Sequence, residues 1–154
     1  MASGRTDLMV FARDYPEARL VVEVKSTLST PPDQDAAVRQ LARYMWGANC
    51  HYGLIMTPMN TYLLRDDFRT AGPEAIRVTD VIQTERLLSR VAAPGTEPTA
   101  RAESELELLA REWLQRLTTA YEAALPDDPD VMRAFFPDLV GAVADGRVVA
   151  EVAA

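Results

Sequence analysis

Cysteine and histidine are almost absent from this sequence, Cys50 and His51 being the single example of each. One cysteine excludes an internal disulfide, and the pair leaves no ligand set with the spacing of a structural zinc site. Nothing points to an oxidising compartment, and a cytoplasmic protein is the expectation. Cys50 reads as a buried thiol and His51 as a loop-end residue, because no second Cys or His stands by to build a nucleophilic or metal site. Long apolar runs are missing as well. No stretch of about 18 apolar residues is available to span a bilayer, and the opening segment from Met1 to Asp7 lacks an apolar signal region, so a soluble, membrane-free protein is expected. Positive charge is also short: 16 Lys+Arg stand against 23 Asp+Glu, a net charge of -7. That balance opposes a broad phosphate-binding surface and predicts weak nucleic-acid binding without a metal or a partner. Carboxylates that hold a divalent cation are the exception, since the cation inverts the local charge.

What is present suffices for one ordinary core, with 48% apolar residues in 154. Leu8 to Ala12 and Leu20 to Val24 are short, β-branched-rich runs separated by a polar stretch centred on Pro16, and they read as an antiparallel hairpin. Counting back from its turn sets Asp7 opposite the stretch from Glu23 to Lys25. Strand periodicity puts Glu23 and Lys25 on one face, with Val22 and Val24 on the other. A loop follows, and Pro32 or Asp33 starts a helix that runs to about Trp46 and stops at Gly47. Gln40 and Tyr44 share a face of it. Tyr52 to Thr57 and Thr61 to Arg65 read as two further strands about the turn Pro58-Met59-Asn60. Ala75 to Val78 predicts a short strand, with Thr79 capping a helix from Asp80 to about Val91.

The composition then changes. Residues 93–101 hold two prolines and a glycine without apolar period and read as a linker, dividing an α/β core over 1–92 from a helical extension over 102–154. In that extension Leu106, Leu109, Ala110, Trp113, Leu114, Leu117 and Tyr121 recur at three and four, predicting a long amphipathic helix from about Ala102 to Ala124. Trp113 and Tyr121 belong to its apolar stripe and read as core or oligomer contacts. Asp128 caps and Pro129 opens a further helix that Pro137 kinks or splits, and Arg147 to Ala153 reads as a final strand. The extension is expected to pack on the core or on a partner subunit.

The chemistry-bearing group is Asp7, Glu23 and Lys25. Mg2+ or Mn2+ takes hard oxygen ligands, commonly one or two carboxylates with water, a backbone carbonyl and a substrate phosphate. Asp7 and Glu23 supply the carboxylates, and the carbonyl of Val24 is a third candidate ligand. Lys25, on the face of Glu23, is placed to orient or help deprotonate an attacking water and to offset transition-state charge. Phosphodiester hydrolysis is the matching reaction class.

An acid, a hairpin, the element Glu23-Val24-Lys25 in a Val-rich strand and a following helix together resemble the PD-(D/E)XK nuclease superfamily. Gln40-Leu41-Ala42-Arg43-Tyr44 is similar to the QxxxY helix motif of one of its branches. The resemblance spans about Arg5 to Arg65. It implies a restriction-endonuclease-like α/β fold, a central mixed β-sheet flanked by helices, and a Mg2+-dependent nuclease acting on DNA rather than RNA. It further implies Asp7, Glu23 and Lys25 as catalytic residues and Gln40 and Tyr44 near the substrate, and Arg43, between them on the helix, joins them as a substrate-binding candidate on account of its charge. Two departures stand out. Thr6 replaces the motif's proline, and the opening helix and strand of that core, the helix often bearing a metal-site glutamate, have no counterpart before Asp7. The C-terminal helix and strand supply the same order, so the final strand is expected to complete the sheet beside the hairpin, within the chain or by swapping, in a homo-oligomer or partner-dependent assembly. Asp138 or Asp145 would then stand in for the glutamate.

Each element has a plainer reading. Asp7 and Glu23 are ordinary strand-end charges if no metal binds, Lys25 is then their ion-pair partner, and Gln40 and Tyr44 are a helix face packed on the sheet. Arg39, Arg43, Arg65 and Arg69 form either a local basic face or routine solvated charge. A catalytically silent DNA-binding or assembly module of the same fold, and an unrelated α/β domain with accidental motifs, are the competing readings.

Overall fold

A computed structural model describes residues 5–26, 28, 30–92 and 103–153. The stretch 93–101 read as a linker lies outside the described residues. Two strands, β1 (Arg5–Phe11) and β2 (Ala18–Val24), form the expected hairpin, with Leu8 opposite Val22 and Met9 opposite Val21. Helix α1 (Pro31–Gly47) follows, capped by Thr30, whose Oγ1 accepts from the amide of Asp33 at 3.3 Å. The chain then enters β3 (Tyr52–Met56), parallel to β2, and returns through β4 (Asn60–Asp66).

The segment after β4 departs from expectation. A single strand, β5 (Ile76–Gln83), runs through the residues assigned to a helix, and only one helical turn, α2 (Thr84–Leu87), follows it. Pairing with β4 along its whole length overrides the capping signal of Thr79. The ladder jumps from Leu64–Val78 to Leu63–Asp80, leaving Thr79 as an extra residue in a bulge on this edge strand.

Helices α3 (Glu103–Thr119), α4 (Pro129–Phe135) and α5 (Asp138–Val143) lead into β6 (Arg147–Ala153). Asp128 caps α4 as anticipated, and Pro137 divides α4 from α5. The final strand pairs antiparallel with β1 of the same chain, Leu8 opposite Ala150 and Val10 opposite Val148. The result is an α/β fold, one open mixed sheet in the order β5-β4-β3-β2-β1-β6.

Alternation along the strands builds two cores. Met9, Val21, Ile55 and Leu64 face α1, meeting Leu41 and Met45. Leu8, Val10, Leu20, Val22 and Leu54 face the other way, onto Leu106, Trp113, Leu117, Phe135 and Val143 of α3 to α5. Gly53 lets α1 lie close on β3: a Cβ there would meet Met45 Sδ at 2.5 Å and Leu41 Cδ2 at 3.1 Å. Among the described residues no helix is long and apolar enough to cross a membrane.

Candidate active site

Because Leu8 pairs with Val22, the same ladder sets Asp7 against Glu23 one position further on, both on the α1 side of the sheet. Asp7 turns one oxygen back into the hairpin: Oδ2 accepts from the amide of Val24 at 2.7 Å. Val24 itself is buried among the apolar residues of the opposite face. Lys25 leaves the strand just beyond, and its amide donates to the carbonyl of Met56 at 2.9 Å, tying it to the end of β3. Its Nζ lies 3.5 Å from Glu23 Oε2, with the Glu23 side chain only 13% exposed.

These surroundings set the proton affinity of Glu23. Burial raises its carboxyl above the ordinary value; Lys25 pulls the other way, and the Asp7 charge adds to the rise. A buried carboxylate beside a second carboxylate, with one cation partly offsetting both, is a place where added positive charge stabilises the ionised form. Asp7 and Glu23 therefore fit a divalent cation in donor chemistry. Among the described residues no group of three or more His, Cys, Asp or Glu side chains gathers closely enough to hold a metal ion, so water, backbone or substrate phosphate would fill the remaining positions.

Tyr44 lies half-buried behind this group. Its hydroxyl donates towards Met9 Sδ at 3.4 Å, and its pKa is raised by burial first, then by Cys50 and Glu23. Gln40, one turn earlier, is exposed, as is Arg43. The two motif residues thus share a helix flank without sharing a depth.

Two expectations are corrected. Asp138 pairs with Arg65 at 3.3 Å, and Asp145 sits in the turn before β6, where its amide donates to Thr118. That turn adjoins the Phe11 end of β1, across the sheet from Asp7, because Arg147 pairs with Phe11. Neither acid stands beside Asp7 and Glu23. Arg65 and Arg69 belong to the same far end, since Arg65 pairs with Tyr52 at the start of β3 while Lys25 joins its finish. Arg65 is held by Asp138, by the Ala134 carbonyl and over the Tyr52 ring at 5.5 Å, and Arg69 lies 3.5 Å from Asp67. Of the four arginines, Arg39 and Arg43 remain, both on α1.

One acid escaped sequence reasoning. Glu103, in the first turn of α3, contributes to the rise in Glu23's pKa. Its distance in sequence from the hairpin hid it, and only the packing of α3 against β1 and β2 brings it near.

Cys50 is excluded as a nucleophile. Burial pushes its thiol up to about 11, and the Sγ donates to the Tyr52 carbonyl at 3.3 Å. A cavity of about 270 Å³ lined by Leu8, Leu108, Arg111 and Ala150 opens on the α3 side of the sheet, away from the face shared by Asp7 and Glu23. Set against protein-family models, curated proteins and solved structures, the chain matches none of them.

Proposed function

We propose that this protein is a Mg2+- or Mn2+-dependent hydrolase of phosphodiester bonds, a nuclease of the PD-(D/E)XK kind, with DNA as its substrate. The observation that carries the reading is the convergence of Asp7, Glu23 and Lys25 at one end of adjacent strands, Lys25 Nζ being 3.5 Å from the largely buried Glu23. Asp7 Oδ1 and the carboxylate of Glu23 would hold the cation. When bound, the cation supplies charge neutralisation at the phosphate and acidifies the attacking water. Lys25 orients that water and offsets charge on the phosphate oxygens, its direction set by the backbone bond to Met56. The ion pair to Glu23 keeps the ammonium beside the acid until substrate arrives. Tyr44 borders the site from α1, its hydroxyl directed to Met9 and near enough to Glu23 to feel its charge.

A silent module of the same fold is the reading this proposal must displace. Its support is that Asp7 and Lys25 already have partners inside the protein, at Val24 and Glu23. Calorimetric titration of Mg2+ and Mn2+ into wild type and Glu23→Ala, paired with cleavage of single- and double-stranded DNA, separates the two. The nuclease reading expects metal binding and cleavage to disappear together in Glu23→Ala. Lys25→Ala should bind metal and stay folded while its cleavage rate falls by about 100-fold or more, the scale of a lost electrostatic or general acid–base group. A folded wild type that binds neither cation would establish the silent module.

A further inference from the structure

The exposed side of α1 carries Arg39, Arg43 and Trp46 at spacings of four and three, which sets them on one face of the helix. Each is exposed, Trp46 to 46%. Among the described residues neither arginine has an ion-pair or hydrogen-bond partner. This contrasts with Arg19, Arg65, Arg69, Arg77, Arg86, Arg116 and Arg133, all of which are paired to acids. Asp35 stands one turn before Arg39 and forms no ion pair with it. In a chain of net charge -7, two unpaired guanidinium groups one turn, ~6 Å, apart are a local reversal of sign. The tryptophan continues the same stripe and is the larger of the aromatic faces left open on this helix. The other tryptophan, Trp113, is fully buried.

From this stripe we infer that the outer face of α1 is a track for single-stranded nucleic acid, with Arg39 and Arg43 on successive phosphates and Trp46 stacked on a base. Arginine pairs with phosphate through its planar fork, and an aromatic face accepts any base because every base has a π-surface. Charge complementarity favours a polyanion, and the aromatic neighbour favours one with planar groups over an acidic peptide. Gln40 and Tyr44 occupy the adjoining flank of α1, and Tyr44 is near enough to Glu23 to feel its charge. Trp46 lies at the end of α1 that leads into the start of β3, so a strand on this track runs along α1 from the Trp46 end toward the Glu23 end. The inference deepens the nuclease reading by naming the form of its substrate, and rests on that reading only for where the strand is going.

The test uses the whole protein in EDTA, which removes metal chemistry from the readout. An oligothymidylate of about 12 nucleotides, within the span typical of single-strand sites, is titrated at low salt while tryptophan fluorescence is followed. Quenching is expected in the wild type and its loss in Trp46→Phe, since Trp113 is sealed from solvent. The Arg39→Gln/Arg43→Gln double variant is expected to bind at least tenfold more weakly by anisotropy of a labelled strand. Its log–log salt slope should fall by about 1.4, two phosphate contacts on a single strand. Melting by circular dichroism checks that these surface variants remain folded. Unchanged affinity in the double variant, or no quenching of Trp46 on binding, overturns the track. Tighter binding of a poly-glutamate peptide than of the oligonucleotide also overturns it, in favour of an acidic protein partner. Binding with the expected variant losses but no cleavage in Mg2+ would keep the track and remove the nuclease; cleavage indifferent to both arginines would do the reverse.

Discussion

Glu23 is where this molecule accepts an unfavourable side-chain environment. Burial raises its carboxyl pKa in the folded state, whereas the unfolded chain titrates at the ordinary value. Between those two values the native protein holds a proton that the unfolded chain has released, so stability falls as pH rises through that window. Below the ordinary glutamate value, about 4.3, the group is protonated in both states and the penalty vanishes. Glu23→Gln should therefore be more stable than the wild type at neutral pH, the two converging in acid, as urea denaturation across that range would show. A variant no more stable than the wild type at neutral pH would mean that Lys25, 3.5 Å away, offsets the burial in full. Saturating Mg2+ should invert the order, stabilising only the wild type, by about 2.7 kcal/mol at a hundredfold excess over Kd. Which strand positions meet at this end was legible from spacing, because period two and a hairpin turn determine it. The depth of Glu23 was not, since it depends on α1 and α3 closing around the strand end.

At the scale of elements, the strands at the site end are joined by a buried hydroxyl relay. Thr84, fully buried in the single turn α2, donates to the Thr57 carbonyl at 2.6 Å and receives the Thr61 hydroxyl at 2.8 Å. Thr57 directly follows Met56, whose carbonyl anchors Lys25. Thr84→Val preserves shape and removes both bonds, leaving a buried carbonyl and a buried hydroxyl without partners, at a cost of about 1–3 kcal/mol in denaturant titration. Thr84→Ser keeps the relay and should lose only about 0.8 kcal/mol for the missing methyl group. Equal losses in the two variants would show that packing, not the relay, is what matters at this position. The same region shows why sequence reasoning stopped short. Thr79 followed by Asp80 looks like a helix start, and in isolation Asp80 to Val91 has enough Leu and Arg to continue one. The ladder to β4 outweighs that local preference, and the irregularity that resembled a cap is a bulge. By contrast α1, α4 and the hairpin were legible because their signals are local: the prolines before Asp33, Asp128 with Pro129, and the alternation about Pro16; the Thr30 cap of α1 came only with the structure. The partner of β6 was inferred only from the helix-then-strand order of the C-terminal segment, with no local signal for it, and its pairing with β1 is in the ladder.

At the scale of the whole molecule, the sheet that carries the candidate site is held from behind by the C-terminal helices. Leu8 and Val22, the neighbours of Asp7 and Glu23 on the reverse face, belong to one cluster with Leu106, Trp113, Leu117 and Phe135. Trp113 is its largest fully buried side chain and meets the Phe135 ring edge-on at 5.7 Å. Trp113→Ala should lose about 3–5 kcal/mol, the usual cost of emptying so large a site. At about 2–4 °C per kcal/mol for a chain of this size, Tm should fall by roughly 6–20 °C. Trp113→Phe is the control: the indole Nε1 has no hydrogen-bond partner among the described residues, so its removal orphans nothing, and the loss should stay below about 1.5 kcal/mol if the ring fills the space. If the helices and the strands share one core, metal affinity measured at Asp7 and Glu23 should be lost in Trp113→Ala over the same temperature range as its helical signal. Two separate transitions, helices first and metal binding later, would show instead that the site end of the sheet stands without its C-terminal backing.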